Sequence, residues 1–250
     1  MVFGCYRASE IGRNGRDLQE TNKKVTVAMI VAVILVAGVV FVLLNLWQMR
    51  DNATNFRVDH NKHPNVSLEG IDWDYWKSVN PDLVGWVVVD GTNINNPIVK
   101  AKKDDPEFYL THDIYGNWNV YGVPYLDADC AEGLESKACV IYGHNMDDGS
   151  VFADFAKYSD KGYASEHREI TILTPDGNKD LETKLVRVVE GDAKVKVTDF
   201  KSDAEFSSYY ANQKKQSNVI LDQKVQKKTV LFVTCSYNFS SDERTVIFAS

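Results

Sequence analysis

The sequence is poor in cysteine and has no paired cysteine motif. Its four cysteines stand at positions 5, 130, 139 and 235, and no two of them form a C-x-x-C pair. Zinc ribbons and thioredoxin-like redox proteins both need such closely spaced pairs, so neither class is supported. The chain also lacks an excess of positive charge, because its formal net charge is −7 at pH 7, which argues against nucleic acid as a partner. It has no internal repeat and no low-complexity tract, and its length suits one domain with short appendages.

One long apolar run lies close to the N-terminus. Residues 25–46 carry no charged side chain, and Trp47 follows at a position that suits an interfacial aromatic residue. A run of roughly 20 apolar residues is long enough to cross a bilayer as a helix. The run ends in Leu-Asn-Leu-Trp rather than in a small-x-small cleavage site, which favours an uncleaved anchor over a cleaved signal peptide. We predict a transmembrane signal anchor at 25–47.

The flanks of this run predict its orientation. Residues 1–24 contain Arg7, Arg13, Arg16, Lys23 and Lys24, and the excess of positive charge lies on this side of the run. The positive-inside rule therefore predicts a cytoplasmic tail at 1–24 and an extracellular location for the rest of the chain. Residues 48–69 are polar and lack periodicity, which indicates a stalk, and residues 70–250 form the predicted folded domain.

Short apolar runs separated by turn residues dominate the sequence from residue 83 onward. A fold of about eight short strands with few helices is typical of a closed or nearly closed β-barrel, so the fold class is mostly β. Helices are predicted before the first strand, between two middle strands, and before the last two strands. The predicted strands are 86–89, 94–99, 122–126, 138–142, 169–174, 181–189, 229–235 and 245–248, and the predicted helices are 71–79, 150–158 and 203–215.

The run Thr229–Cys235 reads as a strand that is buried on both faces and ends at a cysteine. At the end of a strand, the side chain of Cys235 can leave the core and meet solvent. We interpret Cys235 as a nucleophile. The alternative is a small structural residue, because free cysteine is among the most buried residue types.

Two further residues are candidates for the same site. His144 follows the strand 138–142 and a glycine that permits a sharp turn. Arg244 opens the last strand, and a hairpin between adjacent antiparallel strands brings Arg244 close to Cys235. A guanidinium offers several planar donors to an anion that forms during acyl transfer. The remaining histidines, which stand in polar surroundings and are interpreted as surface or structural residues, are His60, His63, His112 and His167.

These motifs together resemble the sortases, the membrane-anchored cysteine transpeptidases of Gram-positive bacteria, and in detail they resemble class B. The resemblance covers roughly residues 70–250. It is carried by a signal anchor, a β-rich ectodomain, a Thr-Cys at the end of the penultimate strand and an Arg that opens the last strand. The motifs that resemble class B are Asn93-Ile-Asn-Asn-Pro-Ile-Val99, Asp105 to Asp113 with Gly116, Gly122-Val-Pro-Tyr-Leu-Asp127, and Ile141-Tyr-Gly-His-Asn-Met146 followed by Ser150-Val-Phe152.

The resemblance implies a function and a role for each site residue. Cys235 would be the nucleophile, His144 the acid and base, and Arg244 the clamp on substrate and oxyanion. The fold implied for 70–250 is an eight-stranded barrel with an N-terminal helix and a helix before the cysteine strand. The enzyme would cleave a C-terminal sorting signal of a surface protein and join the new carboxyl end, through a thioester, to a peptidoglycan amine. No cofactor and no metal are implied.

The cysteine motif departs from the family pattern. The family usually has Thr-Leu-x-Thr-Cys, whereas this chain has Leu231-Phe-Val-Thr-Cys235, so that only Thr-Cys is kept. The departure puts the substrate preference in question more than the chemistry. Cys130 and Cys139 face an oxidising exterior, and we predict that both stay reduced, with Cys130 in a polar loop.

Other functions remain open on the sequence alone. A sortase that polymerises pilins would use the lysine amine of a pilin as acceptor. A non-catalytic, β-rich surface ectodomain would need Cys235 only as a structural residue. A papain-like hydrolase places its cysteine before its histidine, whereas here His144 precedes Cys235, which counts against that class.

Overall fold

The computed structural model describes residues 23–47, 70–191, 195–236 and 242–250. The chain divides into two units, Met1–Arg57 and Val58–Ser250. The predicted stalk at 48–69, and the predicted tail apart from its last two residues, lie outside the described residues.

In the first unit, one helix, α1, covers Lys23–Trp47 and is long and apolar enough to cross a membrane. A signal sequence near an N-terminus meets the same criteria. The helix begins two residues before the predicted anchor. Its apolar side chains are exposed along its length, as expected for a segment that faces lipid. The amide of Asn45 donates to the carbonyl of Phe41 at 2.8 Å, so the helix itself satisfies this polar side chain.

In the described part of the second unit, nine strands and four α-helices follow one another, with three short 3₁₀ helices between them. The strands are β1 (Leu83–Val88), β2 (Asn95–Lys100), β3 (Tyr125–Leu126), β4 (Ala138–Tyr142), β5 (Glu169–Leu173), β6 (Lys179–Glu190), β7 (Val219–Ile220), β8 (Thr229–Ser236) and β9 (Glu243–Ala249). The α-helices are α2 (Trp73–Val79), α3 (Ala153–Ala156), α4 (Lys161–Glu166) and α5 (Asp203–Lys215), and the 3₁₀ helices are Phe108–Leu110, Gly133–Glu135 and Lys157–Ser159.

Eight of these strands close into a barrel. Their order around the barrel is β5, β1, β2, β3, β4, β8, β9 and β6, and β6 pairs again with β5. Two contacts are parallel, β2 with β3 and β4 with β8, and the others are antiparallel. The short strand β7 is added to the side of β6 and lies outside the closed ring. The predicted eight-stranded barrel is therefore confirmed.

Strand β8 is buried on both faces, as its continuous apolar run predicts. Val230 and Phe232 belong to the barrel interior, where the ring of Phe232 lies 5.0 Å from that of Phe155. Leu231 packs in a second cluster on the outer face of the sheet, and α5 covers this face with Phe206 and Tyr210. Because side chains alternate along a strand, positions 231, 233 and 235 share the outer face.

The predicted helix at 150–158 is wrong as a single element. Val151 has a φ of +58° and makes an isolated bridge with Asn145, so the helix cannot include it. The regular helix α3 is limited to Ala153–Ala156, and a 3₁₀ turn follows it at Lys157–Ser159. The predicted strand at 122–126 is also shortened to β3, whereas α4 and β7 were not predicted.

Candidate active site

Cys235 lies near the end of β8 and directly faces Arg244. The antiparallel register of β8 and β9 pairs the two residues, so their side chains leave the same face of the sheet. Cys235 is partly exposed. The guanidinium of Arg244 donates through Nη1 to the Glu243 carbonyl at 3.2 Å, and Nη2 lies 3.2 Å from a carboxylate oxygen of Asp242. These two contacts hold the cation at the mouth of the hairpin.

His144 reaches the same place from the other side of β8. Strand β4 runs parallel to β8 with Tyr142 opposite Val233, and Gly143 N donates to the Val233 carbonyl at 3.1 Å. This register carries His144 to the level of Cys235. Nε2 of His144 donates to the Leu110 carbonyl at 2.8 Å, because a carbonyl oxygen can only accept. The imidazole is thereby oriented through Nε2, and Nδ1 is the ring nitrogen that this hydrogen bond leaves unused.

The three predicted residues line one cavity of about 370 Å³. Its walls come from the outer faces of β4, β8, β9 and β6 and from the chain after β6. The larger part of the lining surface is apolar, and the thiol, the imidazole and the guanidinium are among its polar groups. The lining residues other than the three predicted ones are Leu110, Tyr125, Val140, Tyr142, Gly143, Val189, Glu190, Gly191, Val195, Lys196, Leu231, Val233, Thr234 and Val246.

One polar part of the lining was not predicted from the sequence. The ammonium of Lys196 lies 2.8 Å from Asp127 and 2.7 Å from Asp129, so it bridges the chain after β6 to the loop after β3. Burial lowers the pKa of Lys196, but the hydrogen bonds with both aspartates outweigh that effect and raise it. Nothing in the local pattern around Lys196 marks it, because its partners are far away in sequence.

Two tyrosines form the wall next to this ion pair. The rings of Tyr125 and Tyr142 lie 5.4 Å apart. Burial raises the pKa of both hydroxyls, and the nearby Asp127 raises them further. Both tyrosines therefore stay neutral at physiological pH and present polar hydroxyls on apolar rings. Tyr142 directly precedes Gly143-His144 in the sequence, and this position could have predicted that Tyr142 belongs to the site.

The other two described cysteines are poor candidates for a nucleophile. Cys130 and Cys139 are free thiols with no exposed surface. Cys130 lies in the polar loop between β3 and β4, as predicted, but its thiol turns inward and packs inside the barrel. Burial raises the pKa of Cys139 to about 12, and it raises the pKa of Cys130 as well. The thiolate is the reactive form, so neither thiol is reactive near neutral pH. Cys5 lies outside the described residues.

The remaining described histidines have contacts that suit structural roles. Nδ1 of His112 donates to the Phe108 carbonyl at 2.8 Å, and the two rings stack 3.8 Å apart. Nδ1 of His167 donates to the Asp90 carbonyl at 3.2 Å. His60 and His63 lie outside the described residues. Within the described ranges, no group of three or more His, Cys, Asp or Glu side chains is arranged to hold a metal ion.

The loop that follows His144 contains a strained residue. Val151 adopts a left-handed backbone with φ of +58°, and its side chain is buried. A β-branched residue in this conformation costs on the order of 1–3 kcal/mol and persists only where its surroundings impose it. Its neighbour Phe152 donates from the backbone N–H to the His144 carbonyl at 2.9 Å. The strained residue, Val151, is therefore the neighbour of the residue that contacts the His144 backbone.

Gly143 gives a test of how tightly His144 is held. A methyl group at this position would lie 2.5 Å from the ring of Phe152, which is fully buried. We expect Gly143→Ala to lower the free energy of unfolding by about 1–3 kcal/mol through overpacking. The matched control is Gly162→Ala in α4, at an exposed position where the added methyl would lie 3.1 Å from the side chain of Asp160, and we expect it to change the free energy of unfolding by less than about 1 kcal/mol. Chemical denaturation of the two variants measures the difference, and equal effects would contradict the tight packing.

Comparison with known proteins gives one consistent family. No family model matches the chain. The chain is 32% identical over 152 residues to sortase B of Listeria monocytogenes, and this alignment covers 61% of the chain and 61% of that relative. The solved structure of sortase B from Listeria monocytogenes has a TM-score of 0.62 at 30% identity, and the match covers 69% of this chain and 96% of that one.

A second solved structure agrees over a longer part of the chain. Sortase B from Bacillus anthracis in complex with AAEK1 has a TM-score of 0.69 at 25% identity, covering 80% of this chain and 98% of that one. The matches in sequence and in structure lead to the same family, and so does the closed barrel. The chain belongs to the sortase B family.

Proposed function

We propose that the chain is a cysteine transpeptidase that cleaves a C-terminal sorting signal of a surface protein and joins the new carboxyl end to a peptidoglycan amine. The observation that carries the proposal is the convergence of Cys235, His144 and Arg244 on one largely apolar cavity. Sheet register brings a thiol, an imidazole and a guanidinium together there, and these groups suit acyl transfer through a thioester. The family relationship supports the same chemistry.

In the first step, the thiolate of Cys235 attacks the carbonyl carbon that follows a threonine in the sorting signal. The carbonyl oxygen becomes an oxyanion, and the N–H donors of Arg244 stabilise it. His144 then gives a proton to the departing nitrogen, so the C–N bond breaks and the leaving peptide departs as an amine. The products of this half-reaction are a thioester on Cys235 and a neutral imidazole.

In the second step, the amine of a peptidoglycan precursor attacks the thioester carbon. His144 accepts the proton that the amine loses, and the C–S bond breaks to restore the thiolate. The protein is now joined to the cell wall by an amide bond. The apolar lining of the cavity favours the amine over water, because a dry site suppresses competing hydrolysis.

We also propose that α1 anchors the enzyme in the cell membrane by a single pass, with residues 1–24 in the cytoplasm and residues 70–250, as the catalytic domain, outside. The charge difference across the apolar run supports this orientation. A membrane address suits the proposed reaction, because surface proteins and peptidoglycan precursors meet at the outer face of that membrane.

The main test uses the full chain in detergent micelles. The substrate is a library of pentapeptides with threonine at the fourth position, and the acceptor is triglycine or hydroxylamine. We expect the wild-type chain to transfer at least one library peptide to either amine, and we expect Cys235→Ala to abolish both transfer and the thioester seen by mass spectrometry. The fold should be kept, because the substitution removes only a small group from a partly exposed position.

Two matched variants control this test. Cys130→Ala and Cys139→Ala should retain transfer, because both thiols are buried inside the barrel. Transfer that persists in Cys235→Ala and is lost in the two control variants would contradict the assignment of the nucleophile. A wild-type chain that forms no thioester with any library peptide would count against the transpeptidase itself.

Arg244→Lys tests whether the guanidinium acts through geometry or only through charge. Lysine keeps the charge but replaces the planar fork of donors by a point charge on a flexible stem. We expect turnover to fall by about a hundredfold to a thousandfold, which is the usual loss for one oxyanion donor. Alkylation of Cys235 by iodoacetamide should stay near the wild-type rate.

The matched control is Arg187→Lys in β6, whose guanidinium contacts Gln213 in α5 and Gln216 at the C-cap of that helix. This variant should keep both turnover and alkylation. Near-complete turnover in Arg244→Lys would exclude the clamp role. Slowing of alkylation and turnover by the same factor would mean that Arg244 acts mainly on the thiolate.

The topology is tested by cell fractionation. The full chain should stay in the membrane fraction, and protease added to intact, wall-stripped cells should digest the part beyond about residue 50. A cytoplasmic epitope placed before residue 24 should stay protected as the control. Recovery of a secreted chain that starts after Trp47 would show that the apolar run is a cleaved signal peptide instead.

A further inference from the structure

The motif Asn93-Ile-Asn-Asn96 is one of the sequence features that resemble the family, yet none of its residues lines the cavity. Asn96 lies in β2 between Ile94 and Ile98, on the side of the strand that faces the barrel interior. Its side chain is only 1% exposed. A buried amide among aliphatic side chains is costly unless it makes hydrogen bonds, so its contacts indicate its purpose.

The side-chain amides of Asn93 and Asn96 both donate hydrogen bonds to the loop after His144. Nδ2 of Asn96 donates to the Val151 carbonyl at 3.3 Å, and Nδ2 of Asn93 donates to the Gly149 carbonyl at 3.2 Å. The backbone N–H of Asn93 also donates to the buried carboxylate of Asp154 at 2.6 Å. The motif therefore attaches the β1–β2 hairpin to the loop between His144 and α3 at two points and to α3 itself at a third.

The residue held by Asn96 is the strained one. Val151 has the left-handed φ of +58°, and it is paired with Asn145 in an isolated antiparallel bridge. Next to it, Phe152 N donates to the His144 carbonyl. Residues 144–145 and 151–152 thus form a small hairpin, in which Val151 and Phe152 pair with the backbone at Asn145 and His144.

We propose that Asn96, assisted by Asn93, is a positioning residue for His144. Its amide sustains the left-handed conformation of Val151, and this conformation places the imidazole where Nε2 reaches the Leu110 carbonyl. The proposal rests on the function proposed above for its kinetic consequences, but the geometric claim is independent of it. Because Asn96 does not line the cavity, it should affect turnover and leave substrate binding alone.

The test removes the donor with Asn96→Leu, which has a similar shape and suits the apolar interior. The full chain in detergent micelles, labelled with ¹⁵N-histidine, reports the His144 Nε2–H signal, assigned by comparison with His144→Gln. We expect Asn96→Leu to lose this signal. We also expect kcat for a reactive library peptide to fall about tenfold to a hundredfold, since displacement by 1 Å can cost about a hundredfold. KM should stay within about twofold.

The matched control is Asn95→Ala at the adjacent position. Asn95 accepts a hydrogen bond from Nε1 of Trp86, whereas the hydrogen bonds to the loop after His144 come from Asn93 and Asn96. This variant should keep both the His144 signal and kcat. A wild-type chain that shows the signal but transfers no peptide would count against the proposed function alone.

A rescue experiment separates positioning from general stability. Glycine adopts positive φ without strain, so Val151→Gly should restore the His144 signal and most of kcat in the Asn96→Leu background. Val151→Ala in the same background should not restore the signal or kcat. Alanine also shortens the side chain, but, unlike glycine, it remains strained at positive φ. Equal rescue by glycine and alanine would overturn the proposal, and so would an Asn96→Leu variant with an unchanged signal and kcat.

Asn93→Ala keeps the proposal testable if Asn96→Leu does not fold. Asn93 is exposed, so its substitution leaves the core intact while it removes the hydrogen bond to the Gly149 carbonyl. We expect a partial loss of the His144 signal and a fall in kcat of severalfold. A variant that matches the wild-type chain in both measurements would overturn the proposal.

Discussion

The site depends on the hydrogen-bonded register of β8 with its two neighbours. On one side the antiparallel ladder pairs Cys235 with Arg244, and on the other the parallel ladder with β4 brings Gly143 next to Val233. Since side chains alternate along a strand, a slip of one residue in either ladder would turn a site residue to the opposite face. The dense apolar packing of both faces of β8 opposes such a slip. The packing that stabilises the barrel therefore also specifies the geometry of the site.

The apolar residues on the outer face of the sheet surround the three site residues. Helix α5 covers the outer cluster with Phe206 and Tyr210, and the chain after β6 adds Val195 and Lys196 to the cavity. Electrostatic interactions strengthen where apolar walls keep water away, so a fixed guanidinium acts more strongly there than on an open surface. The ion pairs of Lys196 with Asp127 and Asp129 join the chain after β6 to the loop after β3. These contacts hold that wall of the cavity against the barrel.

The sequence predicted those helices and strands that are marked by the pattern of their own residues. The strand 138–142 and the helix 203–215 were placed at their observed bounds, because a continuous apolar run marks the strand and aromatic residues on one side mark the helix. The proximity of Cys235 and Arg244 was predicted because a hairpin brings the ends of two adjacent antiparallel strands together. Lys196 was missed because its partners are far away in sequence. The single helix at 150–158 failed because Val151 is held in a conformation that its own propensity disfavours, and only distant contacts such as that of Asn96 reveal the reason.

The same alternation separates two effects within the unusual cysteine motif. Leu231 and Val233 face the cavity, whereas Phe232 points into the barrel, where it packs against Phe152 and Phe155. The phenylalanine therefore changes core packing, and its volume is accommodated by aromatic neighbours. Leu231 stands where the family usually has threonine, so one wall of the cavity carries an aliphatic side chain and lacks a hydroxyl. The departure from the motif therefore changes the wall of the cavity at Leu231 and the packing of the barrel core at Phe232.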